Sequence, residues 1–239
     1  LVTGAVLLML DTTEKEQAEQ LRREFSANVS HELKSPLHTI SGCAELLANG
    51  IVKTEDVPHF LSQIRSEAKR MIALIEDIIK LSHLDEGAED MQREDVDLLA
   101  VARRQADNLS QAAESAQVSL SVSGESVVIN GIPQLLDAIV HNLCENAIKY
   151  NRPGGFVKVN VRREGSSALL TVEDNGIGIP PEQQERIFER FYRVDKSHSK
   201  EVGGTGLGLS IVKHAAALHN AKINVVSAPG KGTVITVLF

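Results

Sequence analysis

The sequence predicts an α+β protein: a helical hairpin that dimerises into a four-helix bundle, followed by an α/β sandwich. Two apolar stripes at three- and four-residue spacing, one from Leu21 to Ile40 and one from Val57 to Leu81, give the hairpin. Beyond residue 98 short strand-like runs interleave with helical ones, the texture of one sheet covered on one face by helices. Between the two lies Leu84 to Asp97, acidic, holding Gly87 and without periodicity, which reads as a linker.

In chain order, Gly4 to Leu10 reads as a short buried strand, and Asp11, Thr12 and Thr13 cap a helix expected from about Thr13 to Leu47. The longest apolar run, Ala5 to Leu10, is far shorter than the roughly 20 residues of a membrane-spanning helix. The chain opens on Leu1, so it is expected to be a piece of a longer protein. Asn49-Gly50 stops the first helix, and Thr54, Glu55 and Asp56 start the second. There Val57, Leu61, Ile64, Ala68, Met71, Ile75, Ile78 and Leu81 form one stripe, while Phe60, Ile72 and Ile79 form a second edge. Two helices cover one seam only, so the second edge predicts a homodimer. Further on, helices are expected at Leu98 to Ala116, Pro133 to Tyr150 and Leu207 to Leu218. Strands are expected at Val118 to Val122, Val127 to Ile129, Val157 to Arg162, Leu169 to Asp174, Lys222 to Ser227 and Thr233 to Phe239. The strands look antiparallel.

The 239 residues carry a net charge of -7 with no Lys/Arg run, which argues against a general nucleic-acid surface and requires any anion to be bound locally. Cys43 and Cys144 stand alone, so both read as buried thiols in a reducing cytoplasm.

The densest chemistry in the first half is Phe25 to Leu37, F-S-A-N-V-S-H-E-L-K-S-P-L. Val29, Leu33, Leu37 and Ile40 share one helical face, which puts His31 on the opposite, solvent side. Ser35 lies one turn on, and Pro36 removes a helical hydrogen bond beside Glu32, so a kink is expected there.

In the second half, N-L-C-E-N-A-I-K-Y puts Asn142, Asn146 and nearly Lys149 on one face of a helix otherwise apolar at Ile139, Leu143 and Ile148. Amide oxygens suit a hard cation such as Mg2+, and the ammonium suits phosphate. D-N-G-I-G-I, from Asp174 to Ile179, ends a strand with a carboxylate and two glycines, Gly176 and Gly178. F-E-R-F-Y-R brings Arg193, a phosphate-fitting guanidinium. G-G-T-G-L-G-L-S, holding Gly204, Gly206, Leu207 and Gly208, runs into a helix N-terminus that offers N–H groups to anions. It is not a P-loop, since Leu209 stands where Lys is required.

In order and spacing these motifs resemble the H, N, G1, F and G2 boxes of the sensor histidine kinases of two-component systems, and G-K-G-T at Gly230 to Thr233 resembles the last glycine motif. The resemblance implies a PAS-like end in residues 1–12, a dimerisation and phosphotransfer hairpin in 13–88, a linker in 89–97 and a Bergerat-type ATP-binding domain in 98–239. It implies that Asp174 accepts the adenine amino group, that Asn146 with Asn142 holds Mg2+, and that Lys149 and Arg193 meet phosphates. Tyr150 would lie against the nucleotide, residues 195–204 would form the lid, and its glycines would close on the phosphates. By the same resemblance ATP phosphorylates His31 with Glu32 as proton acceptor. The group then passes to an aspartate of a response-regulator receiver domain, and Ser35 stands where regulator dephosphorylation is directed. In related ATPases a Glu four residues before the metal-binding Asn activates water; here that position is Asn142, which cannot act as a base. The resemblance further implies the cytoplasmic portion of a membrane-anchored bacterial sensor, touching the membrane only through an N-terminal part missing here. The alternative is a GHKL-type ATPase or conformational clamp that hydrolyses ATP without phosphotransfer.

Overall fold

The computed structural model describes residues 13–85, 91–194 and 204–239. The strand expected at Gly4 to Leu10 and the lid residues 195–203 lie outside them. The chain divides into two compact units, up to Met71 and from Ile72 to Phe239.

In the first unit, α1 spans Thr13–Ala48. It ends in the manner its Asn-Gly signal predicts: Gly50 takes φ +64°, the Gly50 N–H bonds Leu47 O, and the Ile51 N–H reaches back to Leu46 O. This left-handed cap satisfies the last carbonyls and turns the chain. The second helix, α2, spans Val57–Asp85 and so begins a little after its Thr54 signal. α1 continues through Pro36 as one helix. Beside it, His38 Nδ1 lies 2.8 Å from Lys34 O and Thr39 Oγ1 donates to Ser35 O at 3.3 Å, so nearby side chains fold back onto the carbonyls of that turn.

The expected stripes are only partly buried. Leu37 and Leu61 are each 54% exposed, whereas Leu74, absent from the predicted stripe, is buried and its neighbour Ile75 is exposed. Spacing identified the apolar residues but could not separate two adjoining apolar edges on one helix.

The second unit takes in the end of α2 from Ile72 and then β1 (Glu94–Asp97), which corrects the linker reading: β1 pairs antiparallel with β3 (Val128–Gly131) as a separate ribbon. Four residues, three of them acidic, give no periodic signal; the partner strand makes this a strand. α3 (Leu98–Ser115) follows at once, with Asp97 Oδ1 accepting the Leu99 N–H at 2.9 Å as its N-cap. The main sheet holds β2 (Ser119–Gly124), β4 (Phe156–Glu164), β5 (Ser167–Asp174), β6 (Lys222–Ala228) and β7 (Gly232–Leu238) in the order β2-β4-β5-β7-β6. β2 runs parallel to β4 and the other pairs are antiparallel, which corrects the all-antiparallel expectation. The crossover from β2 to β4 passes through α4 (Pro133–Lys149), long enough to return the chain to the same edge.

α3, α4 and α5 (Gly208–Leu218) supply the helical layer. Val157, Val159 and Val161 of β4 and Leu170 of β5 are wholly buried, as are Leu136, Ile139 and Val140 of α4. This core fixes α4 against the sheet and therefore fixes its polar face. Cys43 and Cys144 are free and buried as expected, and burial pushes the Cys144 thiol up to about 12. Among the described residues no helix is long and apolar enough to cross a membrane.

Candidate functional site

Three segments of the second unit bring the predicted nucleotide residues together. The first is the polar face of α4. Asn142 donates from Nδ2 to Ala138 O at 2.8 Å, which turns its oxygen toward the start of α5: a Cβ added to Gly208 would stand 2.5 Å from Asn142 Oδ1. Asn146 is half-buried one turn on. Lys149 ends the helix with its ammonium against Gly204, where an added Cβ would meet Nζ at 2.3 Å.

The second segment is the loop after β5. Asp174 is the last residue of that strand, and its Oδ1 accepts the Gly176 N–H at 2.8 Å. Burial raises its carboxyl above the ordinary range and Glu173 adds to this, while backbone N–H groups of Gly176 and Thr233 pull it back. Glycine is required twice in this loop. A Cβ on Gly176 would meet Tyr150 O at 2.3 Å, and Gly178 takes φ +70° with Ala228 O only 2.0 Å from where its Cβ would be. Tyr150 caps α4, and its carbonyl accepts the Ile177 N–H at 3.1 Å, which ties the loop to the helix.

The third segment joins Arg193 to the glycine loop. Arg193 Nη1 donates to Gly204 O at 3.2 Å, and Gly206, at φ +72°, accepts the Phe191 N–H at 2.9 Å. Leu207 is buried and precedes α5, whose first turn has no side-chain cap from Leu207. The head of α5 thus lies beside Asn142 at Gly208, and the glycine loop leading to it lies against Lys149 and Arg193 at Gly204, a helix N-terminus flanked by cations that suits an anion.

The donor set also fits a hard cation. Asn142 Oδ1 is oriented by its own back-bond, and Asn146 sits on the same face. Among the described residues no cluster of three or more His, Cys, Asp or Glu is present, so Mg2+ here would share its shell with phosphate and water.

His31 lies in the first unit. Its side chain is 82% exposed, as the stripe predicted, and Nδ1 stands 3.6 Å from Glu32 Oε1, close but beyond a hydrogen bond. Glu32 is held from α2 by Arg70, Nη2 to Oε2 at 3.1 Å. Ser35 is exposed on the next turn.

Several supports escaped the sequence reading. Asn175, the middle residue of D-N-G, accepts the Phe156 N–H at 2.7 Å, and Asn151 donates to both Ala147 O and Phe156 O. Ser227 accepts the Ile179 N–H at 2.8 Å and so holds the far end of the glycine loop after β5. Asn151 was marked by its position at a helix end before Pro-Gly; Arg70 and Ser227 carried no local signal.

Residues 131–239 match the family described as Histidine kinase-, DNA gyrase B-, and HSP90-like ATPase, and residues 21–87 match the His Kinase A (phospho-acceptor) domain. A protein named sensor protein kinase WalK, from Staphylococcus haemolyticus, is 38% identical over 237 residues, 98% of this chain and 39% of that protein. The mycobacterial sensor histidine kinase MprB is 30% identical in structure comparison, with a TM-score of 0.55 over 62% of this chain and 96% of that one. Full-length ShkA in complex with AMPPNP aligns at a TM-score of 0.64 and 25% identity, covering 92% of this chain and 45% of that one. The fold and site thus define a phospho-acceptor hairpin joined to a nucleotide-binding sandwich. The chain belongs to the sensor histidine kinase family. It spans about two fifths of the length of the curated relative from S. haemolyticus.

Proposed function

We propose that the chain is an ATP-dependent protein-histidine kinase that phosphorylates His31 and passes the phosphoryl group to an aspartate of a response-regulator receiver domain. The observation that carries this is the pairing, in one chain, of an exposed histidine beside an acid with a nucleotide site whose potential water-activating position is Asn142. An amide there cannot take a proton from water, so the γ-phosphate is kept for another acceptor.

In the proposed reaction the Nδ1–H of His31 faces Glu32, which leaves the lone pair on Nε2 as the nucleophile. Nε2 forms a bond to the γ-phosphorus, the bond to the β,γ-bridging oxygen breaks, and ADP leaves with that electron pair. Glu32 takes the Nδ1 proton as charge builds on the ring, and Arg70 holds the carboxylate in reach. Asp174 accepts from the adenine amino group, Tyr150 lies against the base, and Lys149 and Arg193 meet the phosphates. Gly204, Gly206 and Gly208 allow the backbone N–H groups to approach. Asn146 and Asn142 would hold Mg2+, which neutralises phosphate charge when bound.

The apolar side chains left exposed on the helices, Leu37, Leu61, Ile72, Ile75 and Ile79, support a homodimer built as a four-helix bundle. Ser35 retains a hydroxyl to orient water, which supports a regulator-phosphatase activity. We take residues 13–88 as the phosphotransfer hairpin and, because β1 pairs with β3, the chain from Glu94 to Phe239 as the ATP-binding domain. The family supports a cytoplasmic catalytic portion of a longer, membrane-anchored sensor.

Incubation with γ-labelled ATP tests the proposal. Acid-labile, alkali-stable label on the protein is expected, and rapid release of free phosphate without protein label would favour the ATPase clamp.

A further inference from the structure

Residues 72–85 of α2 fall within the second unit, and one side chain there, Asp77, meets the glycine loop. Thr205 Oγ1 donates to Asp77 Oδ2 at 2.7 Å and accepts the Leu207 N–H at 3.2 Å. A hydroxyl has one proton to give. With that proton on Asp77, its lone pair turns to Leu207, and the last backbone N–H before α5 is capped from within the chain. The Asp77 side chain is only 18% exposed, and Lys80 Nζ is 3.9 Å from its other oxygen. Burial raises this carboxyl, the Thr205 bond and Lys80 lower it, and Glu145 and Glu76 add like charge from α4 and α2.

We infer that Asp77 is an affinity-setting latch: through Thr205 it caps an N–H at the head of α5 and places negative charge there, so that a nucleotide's phosphates must displace it. The inference rests on reading this loop as the phosphate site and names a residue on α2 that opposes the nucleotide. Reciprocity then requires that bound triphosphate weaken the hold of α2 on the loop. The latch acts on phosphate alone, because Asp174, which the proposed function gives to the base, belongs to another loop.

The test is calorimetric titration of the whole chain with a non-hydrolysable ATP analogue and, separately, with adenosine. Asp77→Asn, which leaves Thr205 an acceptor and removes the negative charge, is expected to bind the triphosphate roughly tenfold tighter, with adenosine affinity unchanged. Thr205→Val, which removes the hydroxyl and keeps the shape, is expected to reduce the effect: in the Thr205→Val background Asp77→Asn adds clearly less than in the unaltered chain, and an equal gain in both would overturn the part given to Thr205. Triphosphate affinity unchanged or weakened in Asp77→Asn, or a gain shared equally by adenosine, would overturn the latch. Failure of the unaltered chain to bind any nucleotide would overturn the reading of the site and the latch with it.

Discussion

His31 and Asp174 show how differently the two units hold the groups proposed for their chemistry. The imidazole stands 82% exposed on a helix. Asp174 ends a central strand, is pinned by the Gly176 N–H, and feels enough burial to raise its carboxyl. The surroundings differ in the same sense. In the second unit the strands and helices around the site are wholly buried at Val157, Leu170, Leu136 and Ile139, whereas the first unit leaves Leu37 and Leu61 in the open. A binding site for a small anionic ligand needs donors held before the ligand arrives. The acceptor proposed at His31 needs access instead, and the exposed apolar side chains below it leave room for a second copy.

That contrast is most severely tested by cutting one large side chain from each unit. Leu136→Ala in α4 should lower the unfolding free energy by about 2–5 kcal/mol in urea denaturation, because the sheet cannot close over the cavity. Leu61→Ala should cost far less in dilute solution. Equal losses would show that the hairpin is as self-sufficient as the sandwich. A smaller but sharper effect is expected from Leu61→Asp, which should convert a micromolar dimer into monomer by sedimentation while nucleotide affinity changes by less than about twofold.

Ser35→Ala should next separate two activities on one helix, reducing regulator dephosphorylation by about tenfold or more while self-labelling from ATP persists. Loss of both together would make Ser35 part of the kinase step. The smallest effect concerns pH and the second unit alone. His219 Nε2 accepts the Ile132 N–H at 2.9 Å, Nδ1 lies 2.7 Å from Ala215 O, and burial lowers its pKa from the ordinary 6.5, opposed by the Ala215 bond and aided by Arg93. The folded chain therefore binds this proton less readily than the unfolded chain. Its contribution to stability is complete above about 6.5 and is lost as pH falls from there through the lowered value. Melting temperature should drop over that window and drop less in His219→Gln.

The two units were not equally legible in sequence. Local spacing sufficed for α1, its glycine cap at Gly50 and the exposure of His31, because a helix converts sequence distance directly into direction. It also placed Asn142, Asn146 and Lys149 on one face. It failed where a partner far along the chain decides the outcome. Glu94–Asp97 became a strand because β3 pairs with it, β2 runs parallel to β4 because α4 carries the crossover, and Leu74 rather than Ile75 is buried. Arg70 on Glu32 and Asp77 on Thr205 were hidden for the same reason, since each sits on an ordinary helical face.

Mapping the label after incubation with γ-labelled ATP tests most directly whether the enclosed site serves the open histidine. Phosphate on nitrogen is expected in the peptide that contains His31, absent in both His31→Gln and Asp174→Asn, with only Asp174→Asn losing nucleotide affinity. Label on any other residue, or undiminished label in His31→Gln, would contradict that expectation.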